Sequence, residues 1–484
     1  MKKNQEKINL YKKFANKIKE FNNPHLGITI RRLIINKKDI YILFIPQITD
    51  KNKISNDIIK PLINHNEKTK LNIEKMSNSL IYCEDIFIDQ DENKIMYYIL
   101  KGYSVIFITG EKKYIVANTT KIEKRTTSTP ELESPLKAPR DSFTENFDSN
   151  LSLIRYRIKD PSLKIEHFTL GKRTKTSVAM IYLDDVANPK YVNEIRSRIT
   201  KINVDGILES GYIHKFIRNN AFDLFPQAGI AERSDSACTN ILEGKICIIV
   251  EGSNLALIVP KIFIEFLDSA DDYYGNLYLA IFAKFLRIIA LLIALTSSSL
   301  YIALVSFHPD ILPPKYILML ASFRETVPFN SFLEALVMEI ISELLREASI
   351  ILPKQIGPAI GIVGTIVIGQ AAVGAGLVSP LLVIVIALST MCSFVAPDYT
   401  IMSPIRIIKF FLLFITGIFG LLGFTLGLTC IVINIISQTS FGIPYCSPFT
   451  PFNFKDFKNY FLSDITLSKK RPKFLIPKDT RRSK

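Results

Sequence analysis

From residue 284 onward the chain carries apolar runs long enough to cross a lipid bilayer, and no other feature constrains its fold as strongly. A hydrocarbon core about 30 Å thick takes about 20 apolar residues of helix, because in lipid every backbone polar group must find its partner within the protein. Four runs fit: Ile288–Phe307, Gly357–Val378, the shorter but uncharged Leu381–Ala396, and Lys409–Ile436, which is long enough to tilt or to begin in the interface. Before residue 284 the apolar runs are short and broken by Lys, Asn, Asp and Glu. The chain reads as an α/β soluble N-terminal region of two subdomains followed by an all-α polytopic membrane domain of about four transmembrane helices.

Charge follows the same division. The net charge is +15, yet residues 288–437 hold seven acids against six bases, while residues 438–484 hold ten bases against three acids. A basic surplus beside membrane spans suits topology and anionic lipid headgroups, so membrane lipid is the expected partner and nucleic acid is not. Met1 to Asn23 is rich in Lys and Asn and has no apolar stretch of the secretory kind, so the N-terminal region is expected to stay in the cytoplasm. Span one then exits, residues 309–355 face out, and the second and third spans form a hairpin whose Val378-Ser379-Pro380 turn lies inside. The fourth span returns a basic tail, with Lys469-Lys-Arg-Pro-Lys473 and Arg481-Arg482, to the cytoplasm. Four sections result: 1–125, a mixed α/β subdomain; 126–284, a second α/β subdomain; 285–440, the membrane domain; and 441–484, the tail.

Within the soluble part, Tyr41-Ile-Leu-Phe-Ile45, Tyr103-Ser-Val-Ile-Phe-Ile108 and Val178-Ala-Met-Ile-Tyr-Leu183 have the composition of strands, and Tyr191 to Lys201 that of a helix. Lys245–Val250 and Leu255–Val259, separated by Glu251-Gly252-Ser253-Asn254, predict a β-hairpin. Thr126-Thr-Ser-Thr-Pro130 reads as a linker. The six cysteines include no CxxC pair and the five histidines are scattered, so neither a disulfide framework nor a metal site is expected. No phosphate loop, HExxH or GxSxG occurs. Glu232-Arg233 and Asp235 could serve acid–base chemistry, but such pairs in an α/β domain are more often structural. No catalytic residue and no cofactor is assigned.

Phe332 to Ile351 admits two readings. Glu339, Glu343 and Glu347 recur every four residues and share one helical face beside Leu336, Ile340, Leu344 and Ala348. One reading is an amphipathic interfacial helix in which Arg346 pairs with Glu343 or is solvated. The other is a re-entrant helix whose acidic stripe lines a cation path.

Ser134-Pro-Leu-Lys-Ala-Pro-Arg-Asp-Ser-Phe-Thr-Glu145, followed by Asn150 and Leu153-Ile-Arg-Tyr-Arg-Ile158, resembles the signature of the spore germination protein A-subunit family (GerA/SpoVAF). Further matches follow in order: Phe225-Pro-Gln227, Glu232-Arg233, Asp235, Leu242-Glu-Gly-Lys245, Asp272-Tyr-Tyr274, Phe307-His308, Arg324, Glu334, Ile368-Gly-Gln-Ala-Ala-Val373, Ser379-Pro380 and Ser440-Phe-Gly-Ile-Pro-Tyr445. Lys137-Ala138 stands where the family has Arg-Gly, and Ser234 and Asn330 where it has Pro. The resemblance implies a nutrient germinant receptor subunit in the inner membrane of a bacterial spore. It also implies a transporter-like B subunit, a lipoprotein C subunit, and a homo-oligomeric ring, a pentamer, that releases monovalent cations. An accessory membrane protein of the same superfamily is the alternative. A secondary solute transporter, the other class considered, calls for internal repeats that the sequence lacks.

The second run offers a pore helix. Gly361, Thr365, Gly369, Ala372 and Gly376 fall on one side, a small-residue face that lets helices approach. Val363, Ile366, Gln370 and Val373 lie opposite, and in a ring they would present apolar constrictions and one polar site to a central path. The plainer reading is a buried packing helix in which Gln370 bonds a neighbour.

Overall fold

The computed structural model describes residues 24–35, 38–65, 71–121, 139, 141–269, 271–351, 357–462 and 470–482. The N-terminal basic stretch, the 126–130 linker, Lys137-Ala138 and Lys469 lie outside the described residues. The first subdomain is a five-stranded antiparallel sheet built from β1 (Thr29–Ile35), β2 (Lys38–Phe44), β3 (Ile86–Asp89), β4 (Ser104–Ile108) and β5 (Tyr114–Ala117) in the order β1-β2-β4-β5-β3. Its central strands are buried on both faces, which is why they read as unbroken Ile and Val runs rather than alternating ones. The helix α1 (Ile95–Leu100) covers one face and the helical turns of 51–63 cover the other.

The second subdomain repeats the plan. Helix α2 (Phe147–Arg157) leads into β6 (Leu163–Leu170) and β7 (Thr176–Leu183), then α3 (Pro189–Thr200), α4 (Ser210–Ile217), β8 (Gly229–Ala231), α5 (Ser234–Leu242), β9 (Ile246–Val250) and β10 (Ala256–Val259). The sheet order is β6-β7-β9-β10-β8, and the predicted hairpin is present, with Leu257 opposite Ile248 and Gly252 at φ +79° in its turn. The expected strands at 41–45, 103–108 and 178–183 and the helix at 191–201 are found to within a few residues.

Helices take over at residue 277. They are α6 (Leu277–Ile302), extended by a π-turn Ala303–Phe307, then α7 (Pro314–Arg324), α8 (Ser331–Ile351), α9 (Gly357–Gly374), α10 (Pro380–Ser393) and α11 (Tyr399–Ser437). Among the described residues two stretches, 277–307 and 400–437, are long and apolar enough to cross a membrane, and α10 is shorter.

The second of these stretches is not one rod. Gly420 leaves helical geometry at φ 60°, ψ −138°, and divides α11 into arms 399–419 and 421–437. A Cβ on Gly427 would meet Leu412 at 2.8 Å, and Ile408 and Ile431 share one core cluster. In a continuous helix residues 412 and 427 would stand about 22 Å apart at 1.5 Å per residue. The chain therefore reverses at Gly420, and the arms, about 31 and about 25 Å long by the same rise, pack antiparallel.

Contacts order the remaining helices between two ends of the bundle. At the end next to the α/β region, Lys261 Nζ bonds Asp398 at 2.7 Å and Asn219 Nδ2 donates to the Thr439 carbonyl at 2.6 Å. At the far end, Gly420 lies under the Phe307 ring and Tyr301 Oη is 3.0 Å from Ser379 Oγ. Helix α6 thus runs away from the α/β region, α8 returns, α9 runs away, α10 returns, and the two arms of α11 go out and back.

Three expectations change. Residues 331–351 pack inside the bundle instead of facing out, and the Val378–Pro380 turn sits at the far end instead of the near one. The run 409–436 is a hairpin rather than a single span. Within the described residues the chain passes along the bundle six times, α8 and the second arm of α11 being passages that the four expected spans did not include.

The tail is not a free basic extension. Helix α12 (Phe454–Phe461) follows a short β-ladder, and Phe441, Ile443 and Leu475 enter the core of the second subdomain. Arg471 Nε donates to the Leu242 carbonyl at 2.8 Å, and Lys478 Nζ to that of Asp184 at 2.7 Å. Arg471, Lys478 and Arg482 are spent on backbone carbonyls and nearby carboxylates.

Candidate functional site

The interior of an apolar bundle is where a charged side chain carries most meaning, since burial of an unpaired ion costs several kcal/mol. Here a charged layer crosses the middle of the bundle. Glu339 of α8 is 4% exposed and bonds Lys409 Nζ of α11 at 2.7 Å, and it also accepts from the Ser298 hydroxyl of α6. Lys409 donates again to Ser389 Oγ of α10 at 2.7 Å. One turn along α8, Glu343 meets Arg406 at 2.6 Å and Arg346 at 3.8 Å, and Arg346 reaches Ser393 Oγ at 2.7 Å. Four helices are tied together by this layer.

The cleft between these groups has a free volume of about 10 Å³, room for about one water. Three bases, Arg346, Arg406 and Lys409, stand against two acids, Glu339 and Glu343. Glu347 lies one turn further along, exposed. The two inner acids are thus held in ion pairs, and Arg346 pairs with Glu343 as the amphipathic reading expected. Sequence inspection missed the partners on α11. The available signal was the i, i+3 pair Arg406 and Lys409 at the mouth of an otherwise uncharged run, matching the i, i+4 pair Glu339 and Glu343.

Helix α9 rests mainly on α8. Of its predicted small face, a Cβ on Gly369 would stand 3.0 Å from Val383 of α10, and Ala372 packs on the far-end cluster. Gly376, at φ +70°, lies over the Thr326 carbonyl. Of the predicted pore face, Gln370 is exposed on the outside of the bundle beside exposed Val367, Ile368 and Ala371, whereas Val373 packs against the far-end cluster. The surroundings of Gly361 and the side chains of Val363, Thr365 and Ile366 are outside what is described. At the far end Glu334 is buried, accepts from the Ser379 amide and faces Arg324 at 4.0 Å.

Below the bundle, the signature residues form one network. Arg157 of α2 bonds Asp141 at 2.6 Å and Ser234 Oγ at 2.8 Å, and Ser234 donates to Asp141 at 2.7 Å. Burial raises the Asp141 carboxyl, but the Arg157 and Ser234 bonds outweigh it and hold its pKa below the usual value. Arg233 is fully buried against Asp235, and Asp235 in turn accepts from Tyr274 Oη at 3.0 Å, next to the start of α6. Ser234, where the resembled family has Pro, supplies a hydroxyl that this network uses. Glu232, Arg233 and Asp235 are buried, which agrees with a structural role.

Where the subdomains connect to the bundle, Lys284 of α6 is fully buried, pairs with Asp268 at 2.7 Å and donates to the Tyr460 carbonyl of α12 at 2.8 Å. Arg287 pairs with Asp272 at 2.5 Å. Asp398 is partly buried, which raises its pKa, yet Lys261 and the Thr400 bonds bring it below the usual carboxylate value. The soluble sheet, the first helix and the tail meet at these pairs.

Residues 15–474 match the family described as Bacillus/Clostridium GerA spore germination protein. Spore germination protein KA of Bacillus subtilis is 33% identical over 93% of this chain and 84% of its own length. The B. subtilis membrane protein YfkQ, described as uncharacterized, is 34% identical over 87% and 82%. The solved N-terminal domain of the A subunit of the Bacillus megaterium spore germinant receptor GerK3 is 28% identical, covering 51% of this chain and 94% of that one, with a TM-score of 0.39. The chain belongs to the GerA family of spore germination proteins.

Proposed function

We propose that this protein is the A subunit of a nutrient germinant receptor whose helical bundle lies in the spore inner membrane, both chain ends on the cytoplasmic side. Copies of it assemble into a ring, a pentamer, that conducts monovalent cations, in company with transporter-like B and lipoprotein C subunits. Family membership supports the receptor assignment, and the family is one of germination proteins rather than enzymes.

The observation that carries the conducting role is Gln370 on the outside of the bundle. A polar amide on an apolar helix surface is costly against lipid and needs either a polar neighbour or water. A ring of subunits with α9 toward its axis supplies both, with Val363 and Ile366 as apolar constrictions that gate by dewetting. The acidic stripe is the weaker candidate for the path, because Glu339 and Glu343 are neutralised within each subunit and the layer carries a surplus base. Its role is to brace α8 against α11.

Purified full-length protein in planar bilayers tests this reading. K⁺ current is expected from the wild type, severalfold smaller current from Gln370→Leu, and an increased closed-state leak from Ile366→Ala. A preparation that forms oligomers yet passes no K⁺ at any protein density overturns the assignment.

A further inference from the structure

We infer that two aromatic loops of the soluble part, one carrying Phe222 and one carrying Phe452 and Phe454, lie in the headgroup layer of an anionic bilayer and hold the α/β region against the membrane. This rests on the reading that the bundle is embedded.

Phe222 is 93% exposed, the most exposed large apolar side chain among the described residues. Its place is fixed, because the flanking segment is tied to the chain that leaves the bundle. Asn219 Nδ2 bonds the Thr439 carbonyl at 2.6 Å, Tyr445 Oη bonds the Pro226 carbonyl at 2.6 Å, and Ser440 Oγ bonds the Gln227 carbonyl at 2.9 Å. Residues 439–445 immediately follow the last residue of α11, Ser437. Phe222 therefore protrudes at the level where the last helix emerges.

The second loop begins at Tyr445, whose ring packs on Phe225 and Phe263 under the same helix end. Phe452 and Phe454 follow, 66% and 67% exposed. The first loop follows α4, which carries exposed Lys215, and the second leads into α12, which carries exposed Lys455 and Lys458. Exposed phenylalanines at the helix ends, flanked by cations, match the boundary between headgroups and acyl chains of an anionic bilayer, where apolar side chains bury and bases are drawn to the surface. A soluble face would leave three phenylalanines in water with nothing gained.

The chain contains no tryptophan, so single substitutions give unambiguous fluorescence. Phe222→Trp and Phe452→Trp are placed in the full chain and reconstituted in nanodiscs of phosphatidylglycerol and brominated phosphatidylcholine. Leu426→Trp, on the exposed side of the second arm, reports the bundle, and Tyr82→Trp reports the first subdomain. For the two loop variants we expect quenching of about twofold, strongest with bromines near the headgroup, as for a ring in the interfacial belt. Leu426→Trp should be quenched best by deeper bromines and Tyr82→Trp not at all. Loop variants that stay unquenched while Leu426→Trp is quenched overturn the inference and leave the embedded bundle standing, with a protein partner as the occupant of the patch. If Leu426→Trp is also unquenched, the membrane reading fails first.

Discussion

Replacing Lys409 by Met tests whether the charged layer braces the bundle. The substitution removes the base facing Glu339 and keeps the volume of the side chain. The pair is nearly dry, with the two side chains 12% and 5% exposed. At a surface such a pair would be worth under about 1 kcal/mol. In the interior, removing one partner leaves an uncompensated carboxylate with the Ser298 hydroxyl as its remaining contact here, and the expected loss is about 3–5 kcal/mol. The paired variant Glu339→Gln/Lys409→Met contains no such buried charge. It should recover much of the loss, with a coupling energy of about 2–3 kcal/mol, as found for neighbours sharing one network. The four members of the cycle are compared by denaturant titration of the full chain in detergent micelles, followed by far-ultraviolet circular dichroism. A loss below about 1 kcal/mol for Lys409→Met, or a paired variant no better than the sum of the two singles, would show a hydrated pair and refute the argument.

Gly420→Ala should destabilise the bundle by at least about 1–3 kcal/mol from its backbone conformation alone, and its Cβ would also stand 2.6 Å from the Phe307 ring. The same titration checks this, and Phe307→Ala should relieve the contact while leaving the backbone part. Arg155 is 4% exposed, its Nε has no hydrogen-bond partner, and burial lowers its pKa to about 10. Arg155→Met is therefore expected to keep or raise the stability of the α/β region, and a drop of more than about 2 kcal/mol would mean that the guanidinium has a partner of real worth. Asp398, held below its unfolded pKa of about 3.9, contributes stability above that value and loses it as pH falls through its lower folded value. The protection factor of the Thr400 amide, which is exchange corrected for its intrinsic pH dependence, should fall below about pH 4 and stay flat over that range in Asp398→Asn.

Local patterns disclosed much of this architecture. The strand at 103–108 was legible because an apolar run between Gly102 and Gly110 is too short for a helix, that at 178–183 because its six-residue apolar run stops at Asp184-Asp185, and the 245–259 hairpin because Gly252 can take a positive φ. Gln370 could be singled out because an amide in an apolar run stands out by composition. The partners of Glu339 and Glu343 could not be read this way, as they lie 70 and 63 residues along the chain. The tail misled for the same reason. Its bases look free in sequence, yet Phe441, Ile443 and Leu475 carry it into the second subdomain.

The sequence by itself determined that a soluble α/β region precedes a helical bundle with an apolar exterior, since the length and composition of the runs after residue 284 leave a backbone few other ways to satisfy its hydrogen bonds. Only the tertiary structure decided the course of those helices. Reversal at Gly420 and inclusion of α8 depend on a glycine fitting beneath Phe307 and on acids meeting bases from a distant helix. Such complementarity is a property of surfaces brought together, and no local period along the chain encodes it.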